Sequence, residues 1–281
     1  MIFYLSFFGI KTKTFNNQIK NNLSKINKKI QFNINEVNYL LNPFNFTINI
    51  ITENAQILIK DSKLDIKNIK TNISLKSLIY NQLSIDDLKI STKEIKLNDL
   101  VLLAKTIHNT PQLFILSTVI KDGSIAVDIN INFDSDGKIK ENYQVEGFLK
   151  NTRVDLLNEL NLKDLNFSFD IDKNKYSLSK IDTVFNNIKI RSPLIEIIKK
   201  KDLYLINGII LNADKKLDSK NLKPIFKNLL NDIDLGKIEL SSTNNFSFTI
   251  NKKLKFNDLK VESILDLDQL TFIDKRLNLK P

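Results

Sequence analysis

The sequence predicts a mainly β chain with a few short helices, built on an elongated antiparallel sheet that curls into a groove. Three observations predict this class. Apolar and polar residues alternate through most of the chain after residue 31, stretches with helical spacing are few and short, and one strand motif recurs. Strict alternation gives strands with one apolar and one polar face, as in antiparallel sheets that water contacts on one side.

The alternation is clearest in six segments, and each is predicted to be a strand. They are residues 44–50, 57–59, 125–133, 165–171, 188–190 and 246–250. Helical spacing interrupts them only at residues 97–104, 154–157 and 222–229. Apolar residues three or four positions apart lie on one side of a helix, which is why these stretches are predicted as helices.

A seven-residue pattern recurs four times, at residues 64–70, 83–89, 160–166 and 254–260. Each copy has two apolar residues flanking one other residue, then a polar pair, then an apolar residue. The alternation therefore slips by one position at the polar pair, as a β-bulge or a tight corner requires. Repeats of this kind predict an elongated, stacked sheet.

The first thirty residues differ from the rest. Residues 1–10 are predicted to be a partial membrane anchor, although a buried N-terminal strand fits them equally well; a spanning helix needs about 20 apolar residues. Residues 11–30 are predicted to form an amphipathic helix that packs on the sheet or lies on a membrane. Residues 31–281 form the predicted β-groove domain, expected to continue beyond the C-terminus. The anchor candidates are Ile2, Phe3, Tyr4, Leu5, Phe7 and Phe8.

Composition argues against an enzyme and against a cofactor. The chain has no Cys and one histidine, His108, so thiolate sites, cysteine nucleophiles and multi-histidine metal sites are excluded. It has 6 Gly among 281 residues and no glycine-rich phosphate loop. The net charge of +10 comes mostly from dispersed lysines, with arginine only at Arg153, Arg191 and Arg276. Because phosphate binding needs clustered charge, no specific nucleic-acid partner is predicted.

One segment imitates a calcium loop. Residues 132–139 match the first eight positions of an EF-hand, but the twelfth position is Tyr143 and not the bidentate Glu. The flanking residues alternate as strands do. We therefore predict a hairpin, in which residues 125–133 return through residues 139–148.

Four segments together resemble one known family. They are the N-terminal block YLSFFGIKTKTFNNQIKNNLSKI, the strand VNYLLNPFNFTINI, residues 75–79 (LKSLI) and the hairpin FDSDGKIKENYQVEG. They resemble the AsmA-like family of bacterial envelope proteins, in particular the N-terminal portion of its long members related to TamB and YhdP. The apolar N-terminus is short for that family's anchor, and the chain is short for a protein that bridges two membranes. Both departures lead us to expect a fragment.

The resemblance implies a protein held in the bacterial inner membrane by one N-terminal anchor, with its bulk in the periplasm. It also implies a groove that binds or conducts phospholipid in envelope biogenesis, with membrane lipid as partner and other envelope proteins as further partners. The apolar residues that would contact lipid could serve equally well as an ordinary hydrophobic core. The alternative function is a structural scaffold that recruits partners by strand addition. The residues expected to contact lipid are Phe44, Phe46, Ile48, Ile50, Ile125, Val127, Ile129, Ile131, Phe133, Phe246, Phe248 and Ile250.

Overall fold

The computed structural model describes residues 2–13, 30–34, 36–59, 62–76, 85–107, 110–134, 140, 142–155, 160–212, 216–222, 233–251 and 255–274. The described residues are 72% strand and 14% helix, and their strands are antiparallel. The predicted mainly β class with few short helices is therefore confirmed. The chain divides into two compact units. Unit 1 comprises Met1–Thr118, Ser124–Phe148 and Asp170–Lys173, and unit 2 comprises Val119–Gly123, Leu149–Phe169 and Asn174–Pro281.

The secondary structure runs as follows. The helices are α1 (Ile2–Phe7), α2 (Leu97–Ile107), α3 (Pro111–Val119) and α4 (Ser219–Leu222). The strands are β1 (Ile10–Thr12), β2 (Ile30–Asn33), β3 (Val37–Asn42), β4 (Thr47–Glu53), β5 (Gln56–Ile59), β6 (Ser62–Ser74), β7 (Ile85–Thr92), β8 (Ile95–Lys96), β9 (Ile120–Asn132), β10 (Gln144–Asp155), β11 (Asn161–Ile171), β12 (Lys175–Phe185), β13 (Ile188–Lys199), β14 (Leu203–Asn212), β15 (Lys216–Asp218), β16 (Ile233–Asn251) and β17 (Phe256–Asp274).

The sheet of unit 1 is built around β6, which belongs to two ladders. Its second half pairs with β4 and β7, giving the order β1, β3, β4, β6, β7, β9. Its first half pairs with β5, which in turn pairs with β2. The chain bends between β4 and β5 at Asn54, whose φ is +52°. Asparagine adopts this left-handed conformation more readily than most residues, so it suits the bend.

The core of unit 1 lies at this bend. Ile34, Val37, Ala55 and Ile66 are buried together, and half-buried residues such as Tyr39 and Ile50 pack against them. Leu64, opposite Ile57 across the β5–β6 ladder, is 1% exposed. Burial raises the pKa of the Tyr39 phenol, because the charged form loses more hydration than the neutral form.

In unit 2, β12, β13, β14, β16 and β17 are neighbours in that order, and β15 lies beside β16. Several of its buried residues are small and polar, and they bind main-chain groups. Asn186 Oδ1 accepts a hydrogen bond from the Asn161 N–H at 2.9 Å, and Thr183 Oγ1 donates to Lys163 O at 3.0 Å. Such bonds replace the water that buried polar groups lose.

The repeated motif produces an irregularity at each of its polar pairs, as predicted. In the first two copies the β6–β7 register shifts between Ile66 and Asn68 and again at residue 86. In the third and fourth copies Asp164 and Asp258 adopt φ values of +50° and +55°, and the β16–β17 register shifts beside Asp258. Two residues on one strand therefore face one on its neighbour in three copies, and this keeps apolar residues three positions apart on the same face.

Some local predictions were wrong. Phe44 and Phe46 lie in the turn between β3 and β4, not in a strand. Val154 lies in β10 and not in the predicted helix. Residues 11–12 and 30 belong to strands and not to the predicted amphipathic helix. Residues 2–7 form a helix, so the alternative of a buried N-terminal strand is overturned. The return strand after β9 begins at residue 144 instead of 139. Residues 14–29, His108 and most of 222–229 lie outside the described residues.

Candidate lipid-binding surfaces

One face of the unit 1 sheet is apolar across five strands. The register places Tyr39 opposite Ile50, Ile48 opposite Ile73, and Ile90 opposite both Ile69 and Ile129. Directly paired residues lie on the same side of a sheet. The predicted lipid residues of β4 and β9 therefore do share one face, although the sequence alone did not show which strands lie between them.

These residues differ in how far they are covered. Ile125 and Val127 are buried, and Ile50 packs on the core of unit 1, so packing accounts for all three. Ile48, Ile129 and Ile131 are only half-buried. The partly exposed area of this face is therefore smaller than predicted, and Ile48 lies at its end beside the β3–β4 turn.

Exposed aromatic residues gather at that same end. β1 runs antiparallel to β3 with Ile10 opposite Tyr39, so α1 lies alongside the chain that follows Tyr39, toward the β3–β4 turn. α1 packs against β3, and the turn is tied to the end of β6 by the Leu75 N–H, which donates to Phe46 O at 2.8 Å. We call these exposed aromatic residues the aromatic tip: Phe3, Tyr4, Phe7, Phe8, Phe44 and Phe46.

Gly9 fixes the direction in which α1 leaves the sheet. Its φ is +66°, and a Cβ built on it would lie 2.5 Å from Asn38 Oδ1 and 2.6 Å from Tyr39 O. Only glycine accepts both the left-handed backbone and so close an approach. Tyr4 and Phe8 stack with ring centroids 5.3 Å apart, while Phe3 remains 81% exposed. The position of α1 on the sheet is thus fixed, and its aromatic rings remain exposed to solvent.

The sheet of unit 2 carries a second apolar face, centred on three aromatic rings. Phe246 and Phe248 of β16 stack at 5.9 Å between centroids, and Phe256 of β17 stacks on Phe248 at 4.2 Å. The register places Phe246 opposite both Gly208 and Val261, and Ile250 opposite both Tyr204 and Phe256. The predicted residues Phe246, Phe248 and Ile250 therefore lie on one face with apolar residues of both neighbouring strands.

Gly208 makes room for the first of these rings. A Cβ built there would lie 2.9 Å from Phe246 Cζ and 2.9 Å from Ile195 Cγ1. The Phe246 ring therefore lies across the backbone of β14, where any other residue would displace it. Because Gly208 has no side chain, the Phe246 ring can pack directly on the β14 backbone.

β17 extends this apolar face, although it was not among the strands predicted from the sequence. Every residue from 256 to 270 is exposed. Val261, Leu265 and Leu267 are paired with Phe246, Ser242 and Leu240, so they lie on the same face as the three rings. Lys260, Glu262 and Asp266 occupy the opposite, mostly polar face together with the exposed Ile264. Residues 261–267 alternate only in part, because Ser263 lies on the apolar face and Ile264 on the other, and this interruption obscured the strand in the sequence.

A helical pair in unit 1 also exposes apolar side chains. Lys105 of α2 donates to Ser117 Oγ at 3.0 Å, and its ammonium group lies 5.3 Å from the Phe114 ring centroid. Phe114, Ile115 and Leu116 of α3 are exposed. α3 begins at Pro111, and proline is well tolerated at the first position of a helix.

The described residues contain no cluster of His, Asp or Glu that would hold a metal ion. None of the helices within the described ranges is long and apolar enough to cross a membrane. Comparisons with protein-family models, with curated proteins and with solved structures found no match.

Proposed function

We propose that this chain is a membrane-anchored periplasmic protein of the AsmA-like type that binds phospholipid acyl chains on the apolar faces of its sheets. The observation that carries the proposal is the exposed apolar face of unit 2, where three stacked rings adjoin the alkyl side chains of β17. A soluble surface rarely leaves so many apolar side chains in contact with water unless they bind something.

The dimensions suit a lipid tail. The hydrocarbon core of a bilayer is about 30 Å thick, so a single acyl chain extends roughly half of that. Residues 256–270 of β17 span about 46 Å at roughly 3.3 Å per residue. One side of this strand therefore offers an apolar track longer than one acyl chain, which suits a protein that moves lipid along its strands.

The chemistry of the face also suits hydrocarbon. Leu259, Val261, Leu265 and Leu267 are more than half exposed, and each methylene group transferred from water to such a surface contributes about 0.8 kcal/mol. The groups beside them on this face are small hydroxyl and amide side chains such as Ser242 and Asn244. The face has no ionised group that a lipid tail would have to dehydrate between residues 259 and 267.

The test removes hydrocarbon from the face without touching the strand's backbone. The variant Leu265→Asn/Leu267→Asn is compared with Glu262→Gln/Asp266→Asn, which changes the polar face of the same strand. Lipids are extracted from the purified full chain and quantified by mass spectrometry. We expect bound phospholipid to fall about tenfold or more in the first variant, which corresponds to about 1.4 kcal/mol, and to stay unchanged in the second.

Far-UV circular dichroism and the thermal midpoint show whether both variants remain folded. The proposal is overturned if the wild-type chain carries no phospholipid, or if the folded leucine variant carries as much as wild type.

Membrane attachment is assigned to the aromatic tip. Aromatic rings settle at the boundary between headgroups and hydrocarbon, and burying a phenylalanine there contributes about 1.5–3 kcal/mol. We expect Phe3→Ser/Phe7→Ser to reduce flotation with vesicles of phosphatidylethanolamine and phosphatidylglycerol at least tenfold. Phe114→Ser, an exposed ring outside the tip, serves as the control. Equal flotation of all three proteins would exclude the tip as the attachment site.

A second candidate function, a scaffold that adds strands from a partner, is favoured by β17 itself. Within the described residues its ladder partners all belong to β16, so its other edge offers main-chain groups for pairing.

A further inference from the structure

We propose that β17 pairs edge to edge with β17 of a second copy of this chain, antiparallel and about a two-fold axis at Ser263. The inference deepens the second candidate function by naming the partner and the register. It does not depend on lipid binding.

The stretch that would pair is the regular part of a long edge. β17 is bulged beside Asp258 and again near residue 268, where the register against β16 shifts. Between these points residues 260–267 run in unbroken register with residues 240–247. This stretch is exposed throughout and spans about 23 Å at roughly 3.3 Å per residue. Bulges commonly protect an edge from pairing, and here they leave the central stretch unprotected.

The side-chain pattern selects a second copy of the same strand. With Ser263 opposite itself, Val261 faces Leu265, so the apolar face continues into the second copy. On the other face Lys260 lies opposite Asp266 and Glu262 lies opposite Ile264, and the two-fold axis makes each pair twice. The apolar pairs and the opposite-charge pairs contribute about 0.2–1 kcal/mol each.

Neighbouring registers are less favourable because they place like charges opposite each other. A shift of two residues in one direction places Glu262 opposite Asp266, and the same shift in the other direction places Glu262 opposite itself. Like charges directly opposite are destabilising. A shift of one residue would place apolar side chains opposite polar ones and is excluded by the alternation of the strand. The charges of β17 therefore favour one register for self-pairing.

The absence of cysteine in the chain permits a direct test of that register. Ser263→Cys introduces a single thiol at the proposed axis, where directly opposed Cβ atoms lie about 4.5–5.5 Å apart, close to disulfide geometry. We expect oxidised full-length Ser263→Cys to run as a disulfide-linked dimer on a non-reducing gel. Ser247→Cys, one strand inward and opposite Lys260, is expected to remain monomeric on the same gel.

A charge exchange tests the pairing independently. Light scattering coupled to size exclusion should give twice the 32.5 kDa chain mass for wild type. We expect Lys260→Glu to weaken dimerisation at least tenfold and Lys260→Glu/Asp266→Lys to restore it, because the double variant pairs the same charges in reverse. A monomeric wild type, including one whose edge is covered by its own C-terminal residues, overturns the proposal. So does a dimer that Lys260→Glu leaves unchanged.

Measuring bound phospholipid in the same preparations separates the two proposals. A monomer that retains lipid contradicts only the self-pairing, whereas a dimer without lipid contradicts only the proposed lipid function.

Discussion

Replacing Leu64 with alanine is expected to lower the free energy of unfolding by about 2–5 kcal/mol, the range for large-to-small changes in a close-packed core. Leu64 is 1% exposed and faces Ile57 across the β5–β6 ladder. It lies where β6 passes from one ladder to the other. Truncation to alanine would leave a cavity at this point, because the Leu64 side chain is almost fully enclosed.

Urea denaturation followed by far-UV circular dichroism measures the effect. Leu58→Ala is the matched control, since Leu58 lies in the same hairpin opposite Lys63 and is only half-buried. We expect the control to cost well under half as much. Equal midpoints for the two variants would mean that Leu64 does not carry the packing we assign to it.

Replacing Gly208 with valine is expected to destabilise unit 2 by about 1–3 kcal/mol and to remove most bound phospholipid. The new side chain would occupy the space of the Phe246 ring and of Ile195 Cγ1, each 2.9 Å from the position of a Cβ. The ring must then leave β14, and its stacking on Phe248 is lost. One substitution thus changes both the packing and the apolar face.

Two variants separate these effects. Asn207→Val places the same side chain on the opposite face of β14, where its partner is Ser247, and should leave bound lipid unchanged. Gly208→Val/Phe246→Ala removes the clash with the ring but not the one with Ile195, so it should recover part of the stability but no lipid. If the double variant recovered lipid as well, the ring stack would not be part of the binding surface. Thermal midpoints and extracted lipid are measured on all three proteins.

The alternation of the sequence predicted most of the fold because each apolar position had to lie on the same side as its neighbours two residues away. The repeat predicted the bulges for a related reason, since three-residue spacing between apolar residues is compatible with one face only if the chain slips. The strand prediction was wrong for residues 44–46, although apolar and polar residues alternate there. Pro43 and the Asn45 N–H, which donates to Asn42 Oδ1 at 3.2 Å, form a turn there.

The surfaces were less predictable than the strands. Which strands lie between Ile48 and Ile129 depends on pairings far apart in sequence, and Ile125 and Val127 are buried by neighbours that alternation does not reveal. The aromatic tip could not be predicted from the sequence, because it depends on the β1–β3 register. β1 has only three residues, too few to show an alternating pattern. β17 was missed because Ser263 and Ile264 interrupt its alternation.

The bulges at the repeated polar pairs also determine where this sheet can tolerate a change of length. Deleting one residue inside a regular ladder, such as Thr71, would turn every later side chain of β6 to the opposite face. Deleting Lys67, the extra residue at the bulge, would leave Ile66 and Ile69 two positions apart and still on one face. Single-residue deletions should therefore be tolerated at these bulges but not within the regular ladders, so the repeats are points at which related sequences can differ in length without exchanging the apolar and polar sides of the sheet.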